Sequence, residues 1–417
     1  NSSDKTYVIE DNAAAITAAV GGTTGATADV QTLNSATTVT VSGTATFAQA
    51  ATMAGIAKAI VYNISDEQAN IPGSTTAALN EAVNITVSDN ITFAQAKIID
   101  DATNSGSNTY NISDTAANIA AGIVTSVTAV NGAGTVTSTT ATAAQGATLA
   151  SISQAIVYSI SDTAANIVAN VGGLNESVNI ESTDSCTFAQ GKVIEDATNS
   201  GSITYNISDS AAAIATGIGS DAAVIEAATN VSANTYATKA ELEIIGANAN
   251  TIVFSVKDTA VNLAAATAAR ILKAVNVIAT TDATVAQATS IDTNTNAGAG
   301  GYNTYNITDS AAAIAAKTNA FLTKAQTVTV DGTADVTQAT TISGLTKAVI
   351  YSISDVAANA LGAAATTYNE AVNITISGNL TLSKADVVRE ASNSGTTIYV
   401  IEDTSTAISA AINATTG

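Results

Sequence analysis

The stretch Tyr110-Asn111-Ile112-Ser113-Asp114-Thr115-Ala116-Ala117-Asn118-Ile119-Ala120 contains a change of period. Up to Ser113 the apolar residues stand two apart, with Tyr110 and Ile112 on one face and Asn111 on the other, which is the pattern of a half-buried strand. Past Asp114 the run becomes Ala-rich, and Asp114 occupies the place of a helix N-cap. A strand followed by a helix is the reading.

The same motif, an aromatic residue, then Ile or Val two later, then Asp, recurs along the chain. It begins at Tyr7, Tyr62, Tyr110, Tyr158, Tyr205, Phe254, Tyr305, Tyr351 and Tyr399, at spacings of 55, 48, 48, 47, 49, 51, 46 and 48. Between these copies lies a second motif, a short alternating stretch such as Val39-Thr40-Val41 or Ile85-Thr86-Val87, leading to Gln49, Gln95, Gln145, Gln190, Gln287 and Gln338. Lys239 and Lys384 stand in the Gln slot of two copies. In this half Thr92 is the expected cap of a helix that buries Phe93, Ala96 and Ile99. Turns such as Asn104-Ser105-Gly106, Asn199-Ser200-Gly201 and Asn393-Ser394-Gly395 close the units.

The fold class that follows is α/β, an elongated β/α solenoid of ~24-residue strand–helix units joined into a ~48-residue paired repeat, with stacked parallel strands. Strands are predicted at 60–64, 83–87, 109–112 and 156–160, with sixteen or seventeen in all. The two motifs could share one sheet or build two. Residues 1–417 read as one solenoid, with irregular units near 20–36 and 219–250.

Composition fits a thin core repeated many times. Of 417 residues 46% are apolar but only 4% aromatic. Lys and Arg number 13 against 34 Asp and Glu, a formal charge of −21, which argues against nucleic acid and anionic lipid as partners. With no His and one Cys, His-based acid–base chemistry and internal disulfides are absent, so no enzyme is expected. No apolar run approaches the ~20 residues of a membrane span. The chain opens at Asn1 with neither Met nor a signal-like segment, so a leader has been removed or this is part of something longer.

Candidate sites come from the repeat itself. Strand-end carboxylates Asp66, Asp114, Asp162 and Asp209 would line up if the units stack, and such a row could hold calcium through oxygen ligands; capping is the reading preferred here, with no cofactor. The aromatic slot is assigned to the core, its hydroxyl reaching the rim. Asn63, Asn111, Ser159, Asn206, Ser255, Asn306 and Ser352 would form a polar ladder on the opposite face. Cys186 falls in the slot of Ile91 and reads as a small buried residue.

The runs at 110–120, and Asn80-Glu81-Ala82-Val83-Asn84-Ile85-Thr86 with its copy at 369–375, resemble the Ala/Thr/Asn/Asp-rich tandem repeats of giant secreted or surface-attached proteins of cyanobacteria and other aquatic bacteria. The resemblance implies an extracellular or cell-surface structural protein and brings no catalytic residues. Tyr7-Val8-Ile9-Glu10-Asp11 and Tyr399-Val400-Ile401-Glu402-Asp403 are the same five residues, neither followed by a polar cap. Head-to-tail self-association through Tyr7, Ile9, Asp11, Tyr399, Ile401 and Asp403 into a fibre or layer is the expected function. The alternative is a rod or stalk of an adhesin binding glycan or ice along one solenoid face.

Overall fold

The computed structural model describes residues 6–21, 26–293, 302–360 and 363–414. The chain is α/β, with parallel strands in stacked sheets alternating with helices; 42% is helical and 24% strand, and no barrel closes. Two compact halves divide it, residues 1–207 and 208–417.

In the first half a seven-stranded parallel sheet runs in chain order through Val8–Asn12, Thr38–Ala45, Ile60–Asp66, Ile85–Ile91, Asn108–Asp114, Val136–Ser138 and Ile156–Val157. A bridge from Ala141 to Ile160 leads on to Ile160–Asp162, which pairs with Ile180–Cys186 and that in turn with the strand starting at Ile203. In the second half Val231–Ala233 pairs with Ile252–Val253, and Val256–Asp258 with Val277–Ala279. Ile307–Asp309 then pairs with Val328–Val330, and Ile353–Val356, Ile374–Leu380 and Thr397–Ile401 close the series, all parallel. The two motifs therefore alternate within the same sheets, and the stacking step is one strand–helix unit of about 24 residues. Units carrying the aromatic motif are called Tyr-type below, the others Thr-type. Twenty strand segments occur among the described residues; three Tyr-type strands are each broken in two, so the segments fill seventeen positions.

The register shows how the two types differ. Ile85 and Thr86 pair with Asn108 and Thr109, then Asn90 and Ile91 pair with Asn111 and Ile112, so the Thr-type strand makes a three-residue detour that the Tyr-type strand does not. Gly43, Gly332 and Gly378 sit in such detours at φ of 85°, 82° and 80°, a left-handed conformation that glycine adopts without a Cβ clash. Longer strands than expected result, 85–91 in place of 83–87 and 60–66 in place of 60–64.

The alternation of the strands and the inward faces of the helices supply a narrow core. Ile60, Tyr62 and Ile64 are buried, as are Ala96 and Ile99, while Phe93 is only half-buried. Each fully buried Ile contributes about 1.5–3 kcal/mol, and the strands and helices of successive units pack against one another, so a unit depends on its neighbours for stability. Cys186 is buried in the slot of Ile91, as its alignment predicts, and burial raises its thiol pKa.

Three expectations are corrected. The hydroxyls of Tyr62, Tyr110 and Tyr351 do not reach the rim: they donate to the carbonyls of Ala78 at 2.7 Å, Ala129 at 2.9 Å and Thr367 at 2.8 Å, all buried. A carbonyl near the C-terminal end of a helix otherwise lacks a partner, so the phenol supplies one from inside the core. In the stretch 219–250, expected as an irregular unit, helix Ala222–Ala227, strand Val231–Ala233 and helix Lys239–Ile245 follow one another, the strand only three residues long. The capping acceptor there is Glu241, bonded with Thr238, so the Gln slot of this copy is Glu241 and not Lys239. Of the stretch 20–36, residues 22–25 lie outside the described residues, and Ala26–Ser35 is helical.

Candidate assembly site

The third correction concerns the strand-end aspartates. The N-cap of a Tyr-type helix is the residue after the Asp: Thr115, Thr163, Ser210, Thr259 and Ser310 each accept from the backbone N–H three residues on. Asp114 stands one residue earlier and does something else. Its Oδ1 accepts from Thr115 N at 2.7 Å and Asn118 Nδ2 at 2.8 Å, while Oδ2 accepts at 2.9 Å from Phe93 N, the first residue of the helix in the preceding unit. The carboxylate thus bridges two successive helix starts, where unbonded N–H groups and the positive end of the helix dipole favour an anion.

The bridge recurs. Phe47 N donates to Asp66 at 2.8 Å, Ala143 N to Asp162 at 3.0 Å, Lys239 N to Asp258 at 2.8 Å, Val336 N to Asp355 at 2.9 Å and Leu382 N to Asp403 at 3.0 Å. The Tyr-type helices are treated in the same way by the detour of the Thr-type strand that follows. Ala116 N donates to Thr139 Oγ1 at 3.2 Å, Ala164 N to Asp184 Oδ1 at 2.7 Å, Ala211 N to Thr235 Oγ1 at 3.0 Å and Ala260 N to Thr281 Oγ1 at 3.1 Å. In each of these junctions an oxygen of the later unit closes the first helical N–H of the earlier one. The detour is the feature that sequence reading missed; its Ser-Gly and Thr-rich spelling looked like strand continuation.

Electrostatics follow from those donors. Burial alone would raise the Asp66 carboxyl, but hydrogen bonds from Asn70, Phe47 and Glu67 outweigh it and hold its pKa below the usual carboxylate value. The same balance lowers Asp162, Asp258 and Asp355. For Asp403 the bond from Leu382 N is the leading cause. As calcium candidates, Asp66, Asp114 and Asp162 already have both carboxylate oxygens on N–H donors, and Asp209 accepts from Ser210 N at 2.7 Å. Among the described residues no three His, Cys, Asp or Glu side chains are grouped to hold a metal.

A second lock lies on the opposite side of the strand. Asn63 Oδ1 accepts from Asn84 Nδ2 at 2.8 Å, and Asn84 Oδ1 accepts from Ser107 N at 2.9 Å. Ser159, Asn179 and Ser202 repeat the chain, as do Ser352, Asn373 and Thr396. The expected ladder therefore exists in these stretches, but its alternate rungs are asparagines of the Thr-type units. The Asn-Ser-Gly turn fits against it: Asn104 Nδ2 and Gly106 N both donate to the Val83 carbonyl, and Asn80 Oδ1 accepts from Thr103 N.

The candidate assembly residues occupy the two end units, which belong to different halves. Tyr7 Oη donates to the Thr32 carbonyl at 2.6 Å, Ile9 is half-buried, and Asp11 Oδ1 accepts from Asn12 N at 2.7 Å. In the last unit Tyr399 is half-buried and Asp403 accepts from Leu382 N and Thr404 N. Ile401 is 41% exposed and Ile408 37%, whereas their counterparts Ile112 and Ile119 are 1% and 0% exposed. No residue of helix Ser405–Ala414 is buried. No helix of the described residues is long and apolar enough to cross a membrane.

No known family model, curated protein or solved structure matches this chain.

Proposed function

We propose that the protein is a non-catalytic structural element, stacked as a solenoid and lengthened end to end by further units of its own kind, at a cell surface or outside the cell. The observation that supports this reading most is the last unit, which leaves open at Ile401 and Ile408 the apolar surface that Ile112 and Ile119 bury inside the stack. A stack whose end is built like its interior accepts another unit with the same register and the same contacts, as in strand addition. The partner is a further stack of the same strand–helix units, and the product is an open head-to-tail polymer.

A stalk binding glycan or ice has one observation in its favour. Thr40, Thr86 and Thr137 hold the same position in successive Thr-type strands, paired with Val61, Thr109 and Val157. Glu181, Ser232 and Ile278 interrupt that position further along, so the structural reading is preferred.

Sedimentation and negative-stain imaging over a concentration series test the proposal, using residues 1–417 alone and extended at the C-terminus by copied repeat units. Lengthening of at least one of these forms is expected. Monodisperse monomers throughout would contradict it.

A further inference from the structure

Tyr-type and Thr-type strands alternate at every pairing described above, and the first and last strands, Val8–Asn12 and Thr397–Ile401, are both Tyr-type. Resting on the structural reading above, we infer that the open surface of the unit 397–414 is built for a Thr-type strand–helix unit, and that the Tyr7 unit of a second copy does not fit it directly.

Two features of the interior junctions carry this. The latter half of a Tyr-type strand pairs with the opening residues of the next Thr-type strand, and an apolar residue meets an apolar residue there: Ile64 with Ile85, Ile112 with Val136, Ile160 with Ile180, Ile307 with Val328 and Ile353 with Ile374. Ile401 is the residue waiting for such a partner. Ile85 in turn pairs with Asn108, two residues before Tyr110; the residue two before Tyr7 is Lys5. A Tyr7 unit placed on the open end would therefore set an ammonium where Ile or Val belongs, at a cost in desolvation.

The second feature is the first helical N–H. Interior Tyr-type helices receive an oxygen from the following detour, supplied by Thr139, Asp184, Thr235 or Thr281. Ser405 N is the counterpart of Ala116 N, and no oxygen of a later unit reaches it among the described residues. The occupant thus has defined chemistry: a strand opening on Ile or Val, a three-residue detour carrying a Thr or Asp oxygen, and a helix capped as at Thr142 and Gln145.

The test compares three full-length chains by amide hydrogen exchange and by sedimentation. One is residues 1–417; the second carries a copy of residues 129–155 after Gly417, which preserves the spacing from tyrosine to next strand; the third carries a copy of residues 129–135 followed by 5–21, which puts Lys5 at the position that Val136 takes in the second. The Thr-type extension is expected to slow exchange across 399–411 by on the order of tenfold or more and to permit end-to-end association, because its new end meets Tyr7 in the usual order. Thr139→Val in that appended copy should restore fast exchange at Ser405 alone. Equal protection from the Tyr-type extension, direct association of the unextended chain, or no change in exchange with any extension overturns the inference. Protection by the Thr-type extension without association in any chain leaves the inference standing and removes the polymer reading instead.

Discussion

At Asp114 one carboxylate serves two helices, and the consequences are larger than those of a cap. Asp114→Ala removes acceptors from Thr115 N, Asn118 Nδ2 and Phe93 N and should lower the unfolding free energy by about 2 kcal/mol, as expected for charge-assisted bonds. Thr115→Ala, which removes only the cap, should lower it by about 1 kcal/mol. Urea denaturation separates the two, and equal losses would contradict the bridging role. Lys384 offers the reverse experiment. It fills the N3 slot held elsewhere by Gln95 or Gln145, but an ammonium cannot accept from the cap backbone, and Thr381 makes no side-chain capping bond to its helix. Lys384→Gln should therefore complete a capping box and raise stability by about 0.5–1 kcal/mol. The acid response has a definite sign. The carboxyls of Asp66, Asp162, Asp258 and Asp355 lie below their ordinary value in the folded state, and Glu243 is held at about 2 because the bonds from Thr267 and Arg270 and the charge of Lys239 overcome its burial. Between the folded and unfolded values the unfolded chain binds more protons, so this stability is fully present above about pH 5 and is lost as pH falls through the lowered values. Thermal melts from pH 6 to pH 2 should show the midpoint steady at first and then dropping; a midpoint that rises below pH 4 would contradict the assignment.

The strand–helix unit was largely legible in the sequence, and the reasons for the misreadings are local. Period and spacing located the strands and the Thr92 cap because both depend on residue type at fixed separations. The Asp114 position was misassigned by one residue because Asp and Thr are both good caps, and only the backbone decides: Thr115 is extended, at φ −68° and ψ 148°, and its hydroxyl meets Asn118 N. The detour left no clear signal, since Ser88-Asp89-Asn90 continues a polar stretch that alternation alone does not distinguish from strand. The Asn-Ser-Gly turns were seen as turns, but their purpose lies in the neighbouring unit. A Cβ at Gly106 would lie against Val83 O and Asn84 Oδ1. Gly106→Ala should thus push the turn off the asparagine ladder and cost about 1–3 kcal/mol, whereas Gly21→Ala, with open space around its Cβ position, should cost little. Chemical denaturation of the two variants checks the contrast.

On the scale of the molecule, each unit finishes the one before it. An oxygen from the later unit closes the earlier helix start, apolar strand residues meet across the junction, and asparagines link backbone to backbone. In the unit 397–414 Ile401 and Ile408 are exposed where Ile112 and Ile119 are buried, and that apolar surface is what supports the lengthening role proposed above. The candidate assembly residues were visible in the sequence as two identical pentapeptides, but the alternation of unit types, which changes what can join them, needed the strand register. The most direct test of the central claim is residue-resolved amide exchange on residues 1–417 under native conditions. The account predicts that the first helical amides of Phe47, Phe93, Ala143 and Val336 are protected although they have no acceptor within their own helices, while Ser405 exchanges close to the rate of an unstructured chain. Fast exchange at those four amides, or a Ser405 as slow as they are, would contradict it.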